Sequence, residues 1–342
     1  MKALVTGANG HIGSNLVRAL AGRGYSVRAT VRSLAETDRN APIASLPDVE
    51  LAELDIRDAD RFRSLCDNID VVFHLAATYA YHPGTRTTED DVIADSVAGA
   101  EAAIRAAARQ VRKVVLTSSL VAVPLRSPQE PPATEDDWQA DFSVPYFRAK
   151  TVAEQRAWEL SEKYGVDLVT VLPGAVCGPG FKRGTPSTDV IEGIMLGTLR
   201  FGAPRMTFPI VDVRDVVRGH ILAAEKPVTG RFLLCCDEVP TLRDLSRMMN
   251  AIDPSIPVAP LTVPDFLGGM LPYLDWLNSK LHHSPLTLTP EFVKAALGRQ
   301  FKASGERARV LLGWQPDIPV GQTLSDTIDT IRALRHSAGR RD

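Results

Sequence analysis

The sequence predicts an α/β fold, a doubly wound parallel sheet with a smaller C-terminal lobe. Three observations point to it. Short apolar strands alternate with amphipathic helical segments over about 170 residues, the pattern of a parallel sheet covered on both faces. The first strand passes into the first helix through a turn carrying Gly7, Gly10 and Gly13. The alternation then stops at Pro173, beyond which glycine, proline and loop signals become dense.

Taken in order, "KALVTG" is the first strand. "IGSNLVRALAGRG" follows with Ile12, Leu16, Val17 and Leu20 at helical spacing, ended by Gly22 and Gly24. "YSVRATV", "VELAELD" and "VVFHLAA" are the next strands, with "DADRFRSLCDNI" a helix between the last two. "VIADSVAGAEAAIRAAARQ" (helix), "KVVLTSS" (strand), "YFRAKTVAEQRAWELSEKYG" (helix) and "DLVTVLPG" (strand) complete the alternation. "TFPIVDVRDVVRGHILAAE" and "GRFLLCC" read as a return to the sheet, and "PTLRDLSRMMNAI" with the C-terminal helices as a second lobe. The expected division is 1–172 with a return segment at about 207–237 for the sheet domain, and 173–206 with 238–342 for the lobe.

The chain has 342 residues, 44% hydrophobic and 23% charged, with a formal net charge of -2. That profile suits a globular protein and gives no electrostatic basis for binding nucleic acid or a membrane surface. Cys66, Cys177, Cys235 and Cys236 form no CxxC pair and no zinc-type spacing, so they are expected to be reduced core thiols. His282 and His283 lack a supporting acid or cysteine and are expected to be exposed, with no metal bound. The N-terminus has no charged and apolar leader pattern, and the longest apolar candidate is broken by Asp265, Pro272 and Asp275. The expectation is a cytoplasmic protein acting on a small molecule, without nucleic-acid or membrane partners.

A strand-to-helix loop presents unpaired N–H groups at the positive end of the helix dipole, and that end attracts phosphate. In "TGANGHIG" one glycine permits the turn, a second lets a pyrophosphate approach, and a third lets the helix pack on the sheet. The spacing is GxxGxxG, and in the first strand–turn–helix of such a chain it indicates a Rossmann dinucleotide-binding domain. The second strand ends without the carboxylate that would accept bonds from the ribose hydroxyls of NAD. It offers Arg28, then Arg32 with Ser33, and a guanidinium there suits a 2′-phosphate. The expected cofactor is therefore NADPH (NADP).

"SVPYFRAKTVAEQ" sets Tyr146 and Lys150 four apart at a helix start, hence on one face. A free tyrosine has a pKa near ~10, and a neighbouring ammonium lowers it by stabilising the phenolate. Such a tyrosine exchanges a proton with a carbonyl or alcohol oxygen during hydride transfer, and the lysine can also hold the nicotinamide ribose. Ser119 ends "KVVLTSS" at the carboxyl edge of the sheet, where it would hydrogen-bond the reacting oxygen; Ser118 or Thr117 could serve instead.

TGxxGxxG (Thr6 to Gly13), "LDIRD", "HLAA", "TSS", YxxxK and "LPGAVCGPG" occur in an order and spacing that resembles the extended short-chain dehydrogenase/reductase family. The resemblance covers nearly the whole chain, through "LLGWQP". "GYSVRATVR", "VDVRDVVRGHI" and "GRFLLC" look most like its dihydroflavonol 4-reductase-like branch. It implies that Gly7, Gly10, His11, Ile12 and Gly13 hold the pyrophosphate and that Arg32 meets the NADPH phosphate. It further implies that Asp55 and Ile56 flank the adenine, that Leu75, Ala76 and Ala77 line the cofactor, and that Pro173 and Val176 touch the nicotinamide side. Ser96 stands where many relatives carry an active-site Asn, so a proton relay through that amide is not expected here.

"ATYAYHPG" follows the fourth strand, so Tyr79, Tyr81 and His82 are candidates for the substrate mouth. Phe266, Met270, Tyr273 and Trp276 make the second lobe apolar, which suits a hydrophobic carbonyl over a sugar diphosphate and equally suits core packing or a partner contact. The reading is an NADPH-dependent ketone or aldehyde reductase with Tyr146 as general acid. A nucleotide-sugar epimerase or dehydratase with tightly bound NAD and a non-catalytic dinucleotide sensor stand as alternatives. The alanine-rich helix at 88–109 and its neighbour at 146–164 would suit a homodimer.

Overall fold

The structure, a computed structural model, describes residues 1–76, 88–237, 239–282 and 288–338. Its strands are β1 (Lys2–Thr6), β2 (Ser26–Val31), β3 (Val49–Glu53), β4 (Val71–His74), β5 (Lys113–Thr117), β6 (Leu168–Pro173), β7 (Ala175–Cys177), β8 (Ile210–Asp212) and β9 (Gly230–Leu234). Its helices are α1 (His11–Ala21), α2 (Thr37–Ala44), α3 (Ala59–Leu65), α4 (Glu89–Ala107), α5 (Pro145–Tyr164), α6 (Pro186–Met195), α7 (Val213–Glu225), α8 (Leu242–Ile252), α9 (Leu271–His282), α10 (Pro290–Ala296) and α11 (Val320–Ala338).

Seven strands form one parallel sheet in the order β3-β2-β1-β4-β5-β6-β9. The order reverses between β1 and β4, which opens a crevice beyond their carboxyl ends. Because strand side chains alternate, neighbours on β1 enter different cores. Val5 packs with Leu16, Val17, Val216, Ile221 and Phe232 under α1 and α7. Leu4 packs with Phe62, Ala103, Ile104, Ala157 and Leu160 under α3, α4 and α5. Burying each of these larger side chains is worth roughly 1.5–3 kcal/mol. The alanines of α4 let it lie on the sheet and against α5 of the same chain. A third core, with Ile191, Ile194, Leu245, Met249, Ala295, Leu324 and Ile328, holds the smaller lobe together and takes in Phe147 from α5.

The return to the sheet differs from the sequence expectation in one strand. Residues 210–212 form β8, which pairs with β7 in a separate two-stranded sheet. The edge beside β6 is taken by β9, with Pro173 opposite Leu234, so only α7 and β9 rejoin the main body. The chain leaves β6 at Gly174, where a Cβ would stand 2.2 Å from the Pro209 carbonyl oxygen. Helix α2 is absent from the sequence reading because "TDRNAPIA" carries Pro42 in its middle and starts without a side-chain cap. The Asn40 amide ties its first turn to the Ser33 carbonyl at 3.0 Å.

Candidate functional site

A cavity of about 820 Å³ follows the carboxyl ends of β1, β2, β3, β5 and β6 and continues into the smaller lobe. Gly7, Gly10, His11, Ile12 and Gly13 line its middle. The three glycines are there for separate reasons. Gly7 is left-handed (φ +65°) and lies against the Ala76 backbone, 3.1 Å from where a Cβ would be. Gly13 admits α1 against the turn, since its Cβ would meet the Gly7 carbonyl oxygen at 2.1 Å. Gly10 is the N-cap and supplies no side-chain acceptor to the first-turn N–H groups. Donors left open at the positive end of an eleven-residue helix, with no Cβ in the way, fit a pyrophosphate. His11 is buried against Phe181 and bonded to the Pro179 carbonyl at 3.2 Å; burial pushes its pKa down to about 4, so it is neutral at pH 7.

At one end of the cavity, Arg32 follows β2 directly, exposed on the wall, with Asp55 and Ile56 following β3. The Arg57 guanidinium, paired to Asp55 at 2.6 Å, holds that carboxyl down at about 2. Arg28 belongs elsewhere: it pairs with Glu50 at 3.2 Å and donates to the Leu65 carbonyl at 2.7 Å. A second arginine, Arg39 on α2, joins Arg32 on the wall. It pairs with Glu36 at 2.5 Å while its Nε is buried without a partner. Sequence reasoning missed Arg39 because it missed α2, the only signal that would have brought it back toward Arg32.

The three hydroxyls ending β5 have different surroundings. Thr117 Oγ1 lies 2.7 Å from His220 Nε2, whose other ring nitrogen is 2.8 Å from the Val216 carbonyl. Ser118 donates to Glu154 at 2.6 Å inside a buried network, where Thr170 donates at 2.6 Å and Arg231 at 2.9 Å. Arg231 also donates to the carbonyls of Glu135 and Asp137 and lies over the Trp138 ring. Ser119 caps the short turn Leu120–Ala122 through a long bond, 3.4 Å from Val121 N. Of the two serines it is the one outside the Glu154 network; both line the cavity, as does Thr117. Tyr146 and Lys150, one turn apart at the start of α5, line it too, with Pro145 at the helix entry. Lys150 is buried and donates to the Thr117 carbonyl at 3.5 Å.

Behind this wall, Thr6 accepts the N–H groups of Leu75 and Ala76 at 3.1 Å each and lies 3.0 Å from His74 Nδ1. With both N–H donors directed at it, the Thr6 hydroxyl gives its proton to His74 Nδ1. Burial, with a smaller contribution from the Lys150 charge, pushes His74 down to about 3. Leu75, Ala76, Pro173 and Val176 are on the cavity wall. Ala77, Tyr79, Tyr81 and His82 lie outside the described residues, as does His283. Ser96 donates to the Val92 carbonyl of its own helix at 2.8 Å.

The far end of the cavity is apolar, but not through the residues the sequence suggested. Phe266, Met270, Tyr273 and Trp276 face outward, from 44% to 84% exposed; within α9 it is Leu271 and Asp275 that take the inner face. Phe147, Met206, Phe208, Phe292 and Phe301, which pack together, form the wall instead. Asp189 of α6 also lines the cavity, with its Oδ1 against Gly184. Burial raises the Asp189 pKa to about 7, helped by the charge of Glu192 and opposed by Arg183. No described helix is long and apolar enough to cross a membrane.

Residues 3–233 match the family described as the NAD dependent epimerase/dehydratase family. Cinnamoyl-CoA reductase 1 of Petunia hybrida is 31% identical over 330 residues, covering 92% of this chain and 96% of that protein. Dihydroflavonol 4-reductase of Zea mays is 30% identical over 265 residues, covering 72% and 73%. Among solved structures, that of gox2253 superposes with a TM-score of 0.80 at 26% identity, covering 97% of this chain and 98% of that one.

Proposed function

The chain belongs to the NAD dependent epimerase/dehydratase family, whose members related to it are NAD(P)-dependent oxidoreductases, and from that premise we propose an NADPH-dependent reductase of a ketone or aldehyde on a small hydrophobic molecule. The observation that carries the NADPH preference is the pair Arg32 and Arg39 on the wall just beyond β2. Two guanidiniums there favour a 2′-phosphate and would gain nothing from the bare ribose of NAD.

The glycine turn and the open N-terminus of α1 would hold the pyrophosphate, Asp55 and Ile56 the adenine side, and Leu75, Ala76, Pro173 and Val176 the rest of the dinucleotide. The reduced nicotinamide would supply the hydride to the carbonyl carbon. Tyr146 holds the proton destined for the carbonyl oxygen at its phenolic oxygen. Lys150 makes the resulting phenolate tolerable by its charge, and its burial limits how far water screens that charge. Ser119 donates a hydrogen bond to the same carbonyl oxygen as negative charge develops on it. Glu154 and Arg231 support this constellation from behind: Glu154 ties α5 to Ser118 after β5, to Thr170 within β6 and to Arg231 at the start of β9. A proton from water restores Tyr146.

The test is cofactor content followed by affinity. Purified protein, denatured and assayed for released NAD(H), is expected to contain little. Titration of the native protein is expected to show NADPH binding at least about tenfold tighter than NADH, as loss of a charge-assisted phosphate contact implies. Stoichiometric retained NAD with no phosphate preference would instead mark an enzyme that oxidises and re-reduces one substrate, as a sugar epimerase does.

A further inference from the structure

We infer that Lys182 and Arg183 pair with the pyrophosphate bridge of the dinucleotide, carried to it on a loop that the first turn of α1 fastens in place. The inference rests on the dinucleotide reading of the cavity and goes beyond it in assigning the counter-charge. The turn from Gly7 to Gly13 carries no acidic or basic side chain apart from His11, which is neutral at pH 7. A pyrophosphate bridge brings roughly two negative charges, whereas a helix start offers roughly half a positive one. Arg32 and Arg39 stand beyond β2, at the end of the cavity proposed for the 2′-phosphate. A cation for the bridge has to come from elsewhere in the chain.

The loop between β7 and α6 brings two. Three side chains of α1 hold it down. His11 Nε2 and Asn15 Nδ2 each donate to the Pro179 carbonyl at 3.2 Å, and Ser14 donates to the Gly180 carbonyl at 3.3 Å. Phe181 closes the seam, buried with its ring edge-on to His11 at 5.0 Å. The loop fits this closely because Gly180 is left-handed (φ +89°) and a Cβ there would stand 2.9 Å from the Asn15 amide nitrogen. Lys182 and Arg183 come one and two residues after Phe181, at about 3.8 Å of chain per residue. Both are exposed, and both line the same cavity as the three glycines. Among the described residues neither is engaged by a hydrogen bond or an ion pair. The Asp189 charge acts on Arg183, so Lys182 is expected to carry the larger share. Two unengaged cations on a loop tied to the first turn of the cofactor helix are placed to meet phosphates bound at that turn. In a cleft partly closed to water their attraction exceeds that of the same charges on an open surface.

The probes are NADPH, NADH and adenosine 2′-monophosphate, which keeps the 2′-phosphate and lacks the bridge. Equilibrium binding to the intact protein at low ionic strength reads all three. Lys182→Gln combined with Arg183→Gln is expected to weaken NADPH and NADH by the same factor, at least about tenfold, and to leave the monophosphate within about twofold. Arg32→Ala should give the opposite pattern, weakening NADPH and the monophosphate and sparing NADH. Lys182→Arg combined with Arg183→Lys keeps both charges and should bind like the wild type. Unchanged dinucleotide affinity in the glutamine double variant overturns the inference. So does an equal loss with the monophosphate, which would mark a diffuse field instead of a contact at the bridge. A wild type that binds NADPH and NADH alike, with both weakened together in the double variant, would sink the choice of cofactor and leave the clamp standing. A wild type that binds neither dinucleotide overturns both.

Discussion

Ser118 and Ser119 are adjacent and chemically identical, yet their hydrogen bonds give them different work. Ser118 satisfies the buried Glu154 carboxylate at 2.6 Å, so Ser118→Ala is expected to lower the melting temperature through the ~1–3 kcal/mol left by an unfilled acceptor. Ser119→Ala should leave stability nearly unchanged and lower kcat. Comparable loss of kcat in both variants would remove the distinction drawn between them. Tyr146→Phe deletes only the phenolic oxygen, so kcat is expected to fall by roughly 10²–10⁴ while NADPH affinity stays within about twofold. An equal loss of binding and turnover would count against a proton-transfer role. Arg32→Asp should collapse the NADPH/NADH preference, and Arg39→Gln should reduce it further when combined with Arg32→Ala; paired fluorescence titrations would read both.

At the scale of elements, the sequence is most legible where one physical demand dominates. Strands buried on both faces appear as mostly apolar runs, so β1, β4, β5 and β6 stand out in the sequence even with Thr170 inside β6. The turn before α1 is legible because only glycine satisfies it. Helix α2, with Pro42 and little amphipathic pattern, depends on tertiary bonds from Asn9 and Asn40 and leaves no local signature; Arg39 was lost with it. The pairing of β8 with β7 is a contest for one sheet edge between distant segments, which no local pattern records. Exposure misled in the same way, since α9 mixes apolar and polar residues and only packing shows that Tyr273 and Trp276 face outward while Asp275 is buried. One prediction belongs to the glycine turn itself. Gly13→Ala drives a Cβ to 2.1 Å from a backbone oxygen, so the turn must move and NADPH affinity should drop at least about tenfold. Gly321→Ala, with open space around its Cβ position, is the control and should bind normally.

Across the whole molecule, the sheet domain buries three histidines that the site depends on, and this couples acid stability to the fold. His11 holds the loop at Pro179, His74 braces Thr6 behind the cavity wall, and His220 engages Thr117. Burial lowers their pKa values to about 4, 3 and 4, below the 6.5 of an unfolded histidine. Between those values the unfolded chain binds more protons than the folded one, so stability present at pH 7 is lost as pH falls through 6.5 toward 4. At pH 5.5 the loss is on the order of 1 kcal/mol per histidine, since a tenfold change in proton affinity is about 1.4 kcal/mol. Asp189 acts with the opposite sign. Its folded pKa, raised to about 7, means that the folded chain takes up the proton first, so its burial becomes less costly as pH falls. The three histidines outweigh it, and the melting temperature is expected to decline steadily from pH 7 to pH 5. His220→Gln, whatever its starting stability, should flatten that decline. Asp189→Asn should steepen it, because the opposing proton uptake is gone. Thermal melts of the three proteins across this range decide the matter: slopes that move together, or not at all, would mean that groups other than these set the acid limit of the fold.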